Sequence, residues 1–245
     1  MNEWESLIGE VDYCHELRES RSPLLDMHKK GMLGNAVLDI GSGTVGVGKG
    51  TESPLVAMQL PLKHLVLIDI AVKPTVTEKI YAARMDVHEL LDPHDLEGFQ
   101  QAACCFLNQE GHRPQFSSIL LLNIISYIKY QELIPQLLPM LSKRGNLIIG
   151  HKKKMGIGRL FSDRVHGTPY GSPSNDELCA YMQSIAHVTH RIFPFPHLSD
   201  SSEWEGTART EAEPIAADEE YMVLCAQKKK DAGVIELPMP IRKLI

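Results

Sequence analysis

The sequence predicts an α/β fold in which a doubly wound, seven-stranded, mostly parallel sheet ends in an antiparallel C-terminal hairpin strand. The first observation is a series of continuous apolar runs, typical of buried parallel strands, at 36–40, 65–68 and 118–122. The second is that patterns of helical period separate these runs. The third is the final order, in which a helix precedes two strands at 187–195 and 221–226. A plain dinucleotide-binding domain would continue with parallel units instead.

Composition restricts the class of protein. The chain has 245 residues, of which 43% are hydrophobic and 23% charged, so it can form one large globular domain. Its net charge of −6 disfavours a general affinity for nucleic acid. The five cysteines form no C-x-x-C pair, which disfavours a zinc site and suits free thiols in a reducing compartment. No apolar window reaches the roughly 18 residues of a membrane span, so we expect a cytoplasmic protein without a membrane partner.

The apolar run at 36–40 breaks into a turn that contains Gly41, Gly43 and Gly46. Such a turn exposes backbone N–H groups to a nucleotide, because glycine allows the chain to approach a ligand closely. The literal spacing is the G-x-G-x-x-G of dinucleotide-binding domains. Asp39, however, lies two residues before the first glycine, where its carboxylate would repel a pyrophosphate and attract a cation. S-adenosyl-L-methionine carries a sulfonium and an ammonium and no phosphate, so these residues favour that ligand.

The stretch from Asp39 to Gly43 resembles motif I of the class I S-adenosylmethionine-dependent methyltransferases, whose signature is an acid-x-Gly-x-Gly run. The sequence departs from the family at Val45, where glycine is frequent, and Gly46 comes one residue late. The glycine turn is therefore expected to be longer than usual. The resemblance implies a Rossmann-like fold and S-adenosyl-L-methionine as the cofactor.

The resemblance also implies a domain organisation. The methyltransferase-like domain would span residues 35–228, and residues 229–245 would form a C-terminal tail. Residues 1–34 show two helical patterns, and N-terminal helices in this family often form a lid over the cofactor. The alternative for this segment is a pair of helices that only cover a sheet edge.

Acids also follow the next two predicted strands. Asp69 lies about 20 residues beyond the glycine turn, at the tip of a strand, where a carboxylate can accept two hydrogen bonds from a ribose diol. The resemblance implies that Asp86 accepts the adenine amino group and that the backbone of Val87 reads the ring nitrogen. The expected cofactor-binding residues are Asp39, Gly41, Ser42, Gly43, Asp69, Ile70, Asp86, Val87 and Asn123.

Candidates for acceptor binding follow the fourth and fifth predicted strands. Asn123 interrupts the apolar run at 118–122, as in the fourth-strand motif of many methyltransferases, and with Tyr127 it would face the reacting methyl group. Residues 151–173 form the most basic part of an acidic chain. Substrate contacts are expected from Tyr127, His151, Arg159 and Tyr170. His166 is the candidate general base, with His151 as the alternative. The alternative is a solvated loop with a surface lysine run.

The resulting hypothesis is S-adenosylmethionine-dependent methyl transfer to an O or N atom of a small-molecule or peptide acceptor. The chain lacks an Asp/Asn-Pro-Pro-Tyr motif and a Pro-Cys motif, which disfavours methylation of a flipped base or of cytosine C5. RNA stays open as an acceptor through the basic stretch at 151–166. Two alternatives stay open as well. One is an NAD(P)-dependent oxidoreductase using the literal glycine pattern, and the other is a non-catalytic partner protein with a methyltransferase fold.

Overall fold

The computed structural model describes residues 23–42, 53–57, 59–151, 172–192 and 221–229. They form one eight-stranded sheet with the spatial order β3-β4-β2-β1-β5-β6-β8-β7. The strands are β1 Ala36–Ile40, β2 His64–Asp69, β3 Thr75–Val76, β4 Ile80–Arg84, β5 Phe116–Leu122, β6 Leu141–His151, β7 Ala186–Ile192 and β8 Met222–Lys228. Within the described ranges, no helix is both long and apolar enough to pass through a bilayer.

Helices flank both faces of this sheet. They are α1 at 23–29, α2 Pro54–Ala57, α3 Pro93–Leu107, α4 Tyr130–Leu137 and α5 Asn175–Ile185. Three short 3₁₀ helices cover Val87–Leu91, Ile125–Tyr127 and Leu138–Met140. Helix α5 begins with a capping box, in which the Ser174 hydroxyl accepts the Glu177 N–H while the Glu177 side chain accepts the Ser174 N–H.

The predicted fold class is confirmed. Strands β4, β2, β1, β5 and β6 are parallel, and β8 pairs antiparallel with both β6 and β7. The sheet has one strand more than expected, the two-residue β3, which pairs antiparallel with the edge strand β4. The sequence of residues 74–78 has the pattern of a turn and a weak helix start. A hairpin forms there instead, because Thr77 and Ile80 exchange backbone and side-chain hydrogen bonds that close the turn.

Both faces of the central strands are buried, which explains their continuous apolar runs. On β1, Leu38 and Ile40 pack in the core cluster beneath α3, α4 and α5. Val37, on the opposite face, packs in a second cluster with side chains of α1 and α2. Because side chains alternate along a strand, Asp39 points to the same face as Val37. The acid of the motif therefore lies inside the protein, beneath the α1 and α2 side of the sheet.

Candidate functional site

The parallel strands β1, β2, β4, β5 and β6 all end at one edge of the sheet. The strand order reverses between β1 and β5, since β2 and β4 follow β1 on one side and β5 and β6 lie on the other. In open α/β sheets, ligands bind at such a reversal, outside the carboxyl ends of the strands. Each described site residue predicted from the sequence lies within five residues of one of these strand ends.

Asp39 is the most buried acid at this edge, with 1% of its surface exposed. Its Oδ2 accepts a hydrogen bond from the Ser53 hydroxyl at 2.5 Å. Burial raises the pKa of Asp39 to about 7; the Ser53 hydrogen bond acts in the opposite direction, and the negative charge of Asp69 raises the pKa further. Near neutral pH this carboxyl therefore exists in both protonation states, and a cation placed beside it would favour the ionised form.

The turn after β1 is held against the end of β2. The backbone N–H groups of Gly41 and Ser42 both donate to the carbonyl of Ile68, at 2.8 and 3.2 Å. Gly41 has a φ of +72°, and a Cβ there would lie 2.3 Å from Cδ1 and 3.2 Å from Cβ of Ile124. Glycine is therefore favoured at this position by both the backbone conformation and the contact with the chain that follows β5.

The side chain of Ser42 carries a buried hydroxyl that has no hydrogen-bond partner among the described residues. The residue is 4% exposed. A buried hydroxyl without a partner costs about 1–3 kcal/mol, so such groups usually face a ligand or an ordered water. A polar ligand group at the glycine turn would satisfy this hydroxyl.

Asp69 ends β2, the neighbour of β1. Its Oδ1 accepts the backbone N–H of Ala71 at 2.8 Å, which fixes the direction of the carboxylate at the tip of the strand. Ile70, directly after it, is partly exposed at the same edge. Two carboxyl groups, those of Asp39 and Asp69, thus lie close enough to interact. Their negative charge would attract a cationic ligand, and Asp39, which lies under the glycine turn, would repel a pyrophosphate there.

Asp86 follows β4 and caps the 3₁₀ helix Val87–Leu91. Its Oδ1 lies 2.9 Å from both the backbone nitrogen and the ring Nδ1 of His88, and its own N–H donates to Glu89. These contacts orient the carboxylate. Val87 is buried in the main core, so its backbone position is set by packing.

Asn123 directly follows β5, and Tyr127 ends the 3₁₀ helix that comes next. Asn123 adopts a left-handed conformation with φ of +58°, and its N–H donates to the carbonyl of Gly150 on β6. This conformation, which asparagine tolerates well, turns the chain into the 3₁₀ helix Ile125–Tyr127. Tyr127 is 7% exposed. The hydroxyl of Ser126 hydrogen-bonds that of Ser172, which brings the chain before α5 to the same edge.

His151 is the last residue of β6 and is 1% exposed. Its Nε2 lies 2.8 Å from the carbonyl oxygen of Pro173, which can only accept, so Nε2 carries the proton. The side chain therefore holds residues 172–174 against the end of β6. The expected site residues Gly43, Arg159, His166 and Tyr170 lie outside the described residues, as do residues 1–22 of the expected lid and 230–245 of the expected tail.

Sequence reasoning missed Ser53 and Ile124. Ser53 is fully buried, and its contact with Asp39 spans 14 positions. The Ser-Pro pair at 53–54 is a typical helix start, which the sequence shows, but that pattern does not reveal the contact with the acid. Ile124, which closes over Gly41, has the apolar character of its run and no separate pattern.

Comparison with known proteins gives structural similarity only. No protein-family model and no curated protein sequence matches the chain. A duf574 family protein from Streptomyces avermitilis is 14% identical with a TM-score of 0.56, over 87% of this chain and 83% of that one. The 1,6-didemethyltoxoflavin-N1-methyltransferase of Burkholderia thailandensis, solved with 1,6-didemethyltoxoflavin and S-adenosylhomocysteine, is 14% identical with a TM-score of 0.50, over 87% and 78%. The plantazolicin methyltransferase BpumL, solved with S-adenosylhomocysteine, is 13% identical with a TM-score of 0.50, over 92% and 89%.

These similarities, together with the strand order, show that the chain has the fold of the class I S-adenosylmethionine-dependent methyltransferases. The fold that the strand pattern and the glycine turn predicted is thereby confirmed.

Proposed function

We propose that the protein is an S-adenosylmethionine-dependent methyltransferase that methylates an O or N atom of a small-molecule or peptide acceptor. The observation that carries this proposal is the buried Asp39 carboxyl beneath the turn of Gly41 and Ser42, at the point where the strand order reverses. Asp39 and the orphaned Ser42 hydroxyl fit the ammonium and carboxylate of an amino acid. They do not fit a pyrophosphate.

When bound, S-adenosyl-L-methionine supplies a methyl group on an electrophilic sulfonium. The residues of this chain bind and orient it. Asp39 and Ser42 would hold the amino-acid end, Asp69 would accept the ribose hydroxyls, and Asp86 with Val87 would contact the adenine. Fixing donor and acceptor in line lowers the entropic part of the barrier, which is the main contribution expected of such a site.

The acceptor would lie on the β5 and β6 side of the edge. Asn123 and Tyr127 follow β5, and His151 ends β6, so these residues can line one wall. The Nε2–H of His151 donates to the carbonyl oxygen of Pro173. This nitrogen therefore positions the chain before α5 and does not exchange a proton with the acceptor. His166 is our candidate for the general base, with Arg159 and Tyr170 as further acceptor contacts.

Asp39 and the antiparallel C-terminal strands argue against a nicotinamide dinucleotide, because the Asp39 carboxylate under the glycine turn would repel its pyrophosphate. Asp69 fits the ribose of either cofactor. Isothermal titration with S-adenosylhomocysteine, NAD and NADP distinguishes the ligands. We expect micromolar binding of S-adenosylhomocysteine alone. Binding of a nicotinamide dinucleotide would contradict the proposal, and no binding of any of the three would favour a non-catalytic partner protein.

Asp69→Asn tests the site directly, because it removes the charge while keeping an oxygen for the Ala71 N–H. Hydrogen bonds to charged groups are worth about 1.5–3 kcal/mol, so we expect S-adenosylhomocysteine affinity to fall about tenfold or more. Glu97→Gln is the matched control, because it also replaces a carboxylate by an amide, at an exposed position of α3. This variant should bind S-adenosylhomocysteine as tightly as the wild type does. Equal affinity of Asp69→Asn and wild type would remove Asp69 from the site.

Turnover is then tested by release of S-adenosylhomocysteine from S-adenosyl-L-methionine. Small hydroxy and amino compounds, short peptides and total RNA serve as acceptors in parallel. Product formation with the first two groups supports the proposed acceptor class. Activity confined to RNA would contradict it while leaving the cofactor assignment intact.

A further inference from the structure

Asp39, which the proposed function places at the amino-acid end of the cofactor, forms a buried polar pair with Ser53, to which that proposal gives no role. Ser53 has no exposed surface, and it immediately precedes α2. Its hydroxyl donates to Oδ2 of Asp39 at 2.5 Å and accepts the N–H of Leu55 at 3.3 Å. These two hydrogen bonds hold the start of α2 against the acid at the end of β1. Among the described residues, the Ser53 hydroxyl donates its proton to the Asp39 carboxyl group.

The groups that face the Asp39 carboxyl come from each element packed against β1. Ser53 approaches from the chain before α2, and Asp69 contributes a like charge from β2. Strand β5 presents Leu120 and Leu122 to the same face, which add no charge. Within the described part of the chain, one hydroxyl thus stabilises the ionised form while burial and a second acid oppose it. A cation placed beside this carboxyl group would favour its ionised form.

We propose that Ser53 is a positioning residue that holds the Asp39 carboxylate for the ammonium of the cofactor, and that cofactor binding releases the proton which Asp39 otherwise retains. This inference rests on the proposed function. The step breaks no bond other than the O–H of the protonated carboxyl, and the proton passes to solvent. The ammonium replaces it as the positive group beside the carboxylate.

The direction of the pH dependence follows. Burial raises the pKa of Asp39 to about 7 in the free protein, so the acid is mainly protonated at pH 6 and mainly ionised at pH 8. A ligand cation binds the ionised form, so binding must first remove the proton below that pKa. Affinity should therefore rise about tenfold from pH 6 to pH 8 and level off above it. Removing the Ser53 hydroxyl removes a group that favours ionisation, so the rise should move to higher pH.

The test is the dissociation constant of S-adenosylhomocysteine at pH values from 6.0 to 8.5, by titration calorimetry in two buffers of different ionisation enthalpy, which also counts released protons. We expect about tenfold tighter binding at pH 8 than at pH 6, with nearly one proton released at pH 6. 5′-Methylthioadenosine, which lacks the amino-acid end, is the matched ligand and should show neither effect. In Ser53→Ala the rise should occur at higher pH, and Ser53→Thr should restore the wild-type profile.

Ser118→Ala is the matched protein control, because it removes another fully buried serine hydroxyl, one that bonds carbonyls of Met32 and Leu33 near the opposite ends of the strands. It should leave the pH profile unchanged. A dissociation constant independent of pH, or a loss in Ser53→Ala that is equal at every pH, would overturn the inference while the proposed function stands. Complete absence of S-adenosylhomocysteine binding would overturn both. If Ser53→Ala fails to fold, Asp39→Asn replaces it, and its profile should be flat.

Discussion

Replacing Asp39 with asparagine should change how the stability of the protein depends on pH. The folded state holds the Asp39 proton more tightly than the unfolded chain does, because burial raises the pKa of this acid from 3.8 to about 7. Stability is therefore lost as the pH rises between these two values, and no more is lost above them. Asparagine has a similar shape, can still accept the Ser53 hydrogen bond, and carries no charge at any pH.

The magnitude follows from the difference between the folded and unfolded pKa of this residue. A shift of about three pH units corresponds to roughly 4 kcal/mol, which is an upper limit because proteins relax around buried charges. The asparagine amide also adds a buried donor, which costs about 1–3 kcal/mol equally at all pH values. The informative quantity is the free energy of unfolding of Asp39→Asn minus that of the wild type, followed as a function of pH. We expect this difference to rise by about 2–4 kcal/mol, in favour of the variant, between pH 4 and pH 8.

Urea denaturation of both proteins at intervals from pH 4 to pH 8.5 measures this difference. Asp92→Asn serves as control, because Asp92 caps α3 at an exposed position and asparagine is an equally good cap. The control difference should stay small throughout. A difference for Asp39→Asn that is constant with pH, or that favours the variant more at pH 4 than at pH 8, would refute the assignment of a proton to this buried acid.

Three further changes test other parts of the site and fold. Gly41→Ala should lower the free energy of unfolding by about 1–2 kcal/mol because of its left-handed φ alone. The contact with Ile124 should add to this loss, and in a double-mutant cycle Ile124→Val should restore part of it. Ser174→Ala should cost about 1 kcal/mol in urea denaturation through loss of the α5 cap, whereas Ser174→Asp should not. His166→Ala should lower turnover with little change in S-adenosylhomocysteine affinity, and normal turnover would assign His166 to a solvated loop.

Local patterns in the sequence predicted the fold class, although they missed the two-residue edge strand β3. The apolar run of β5 predicts a strand buried on both faces, and Leu120 and Leu121 do pack in opposite clusters. The helix before the last two strands, and the antiparallel pairing of those strands, also follow from pattern and order. Such features depend on periodicity, capping and turn chemistry, which are properties of neighbouring residues.

The arrangement at the strand ends depends on contacts that no local pattern carries. The spacing of Asp39 and Gly41 indicated a cationic ligand, but it did not show that Ser53 bonds the acid, or that Ile124 leaves no room for a side chain at position 41. Sheet register and the path of the chain between strands bring these residues together, and both are set by packing across the whole sheet. The protonation of Asp39 follows from the same cause. In the unfolded chain Asp39 has the ordinary pKa of an aspartate. Its burial under α1 and α2, and its position beside Asp69, raise that pKa to about 7 in the folded protein.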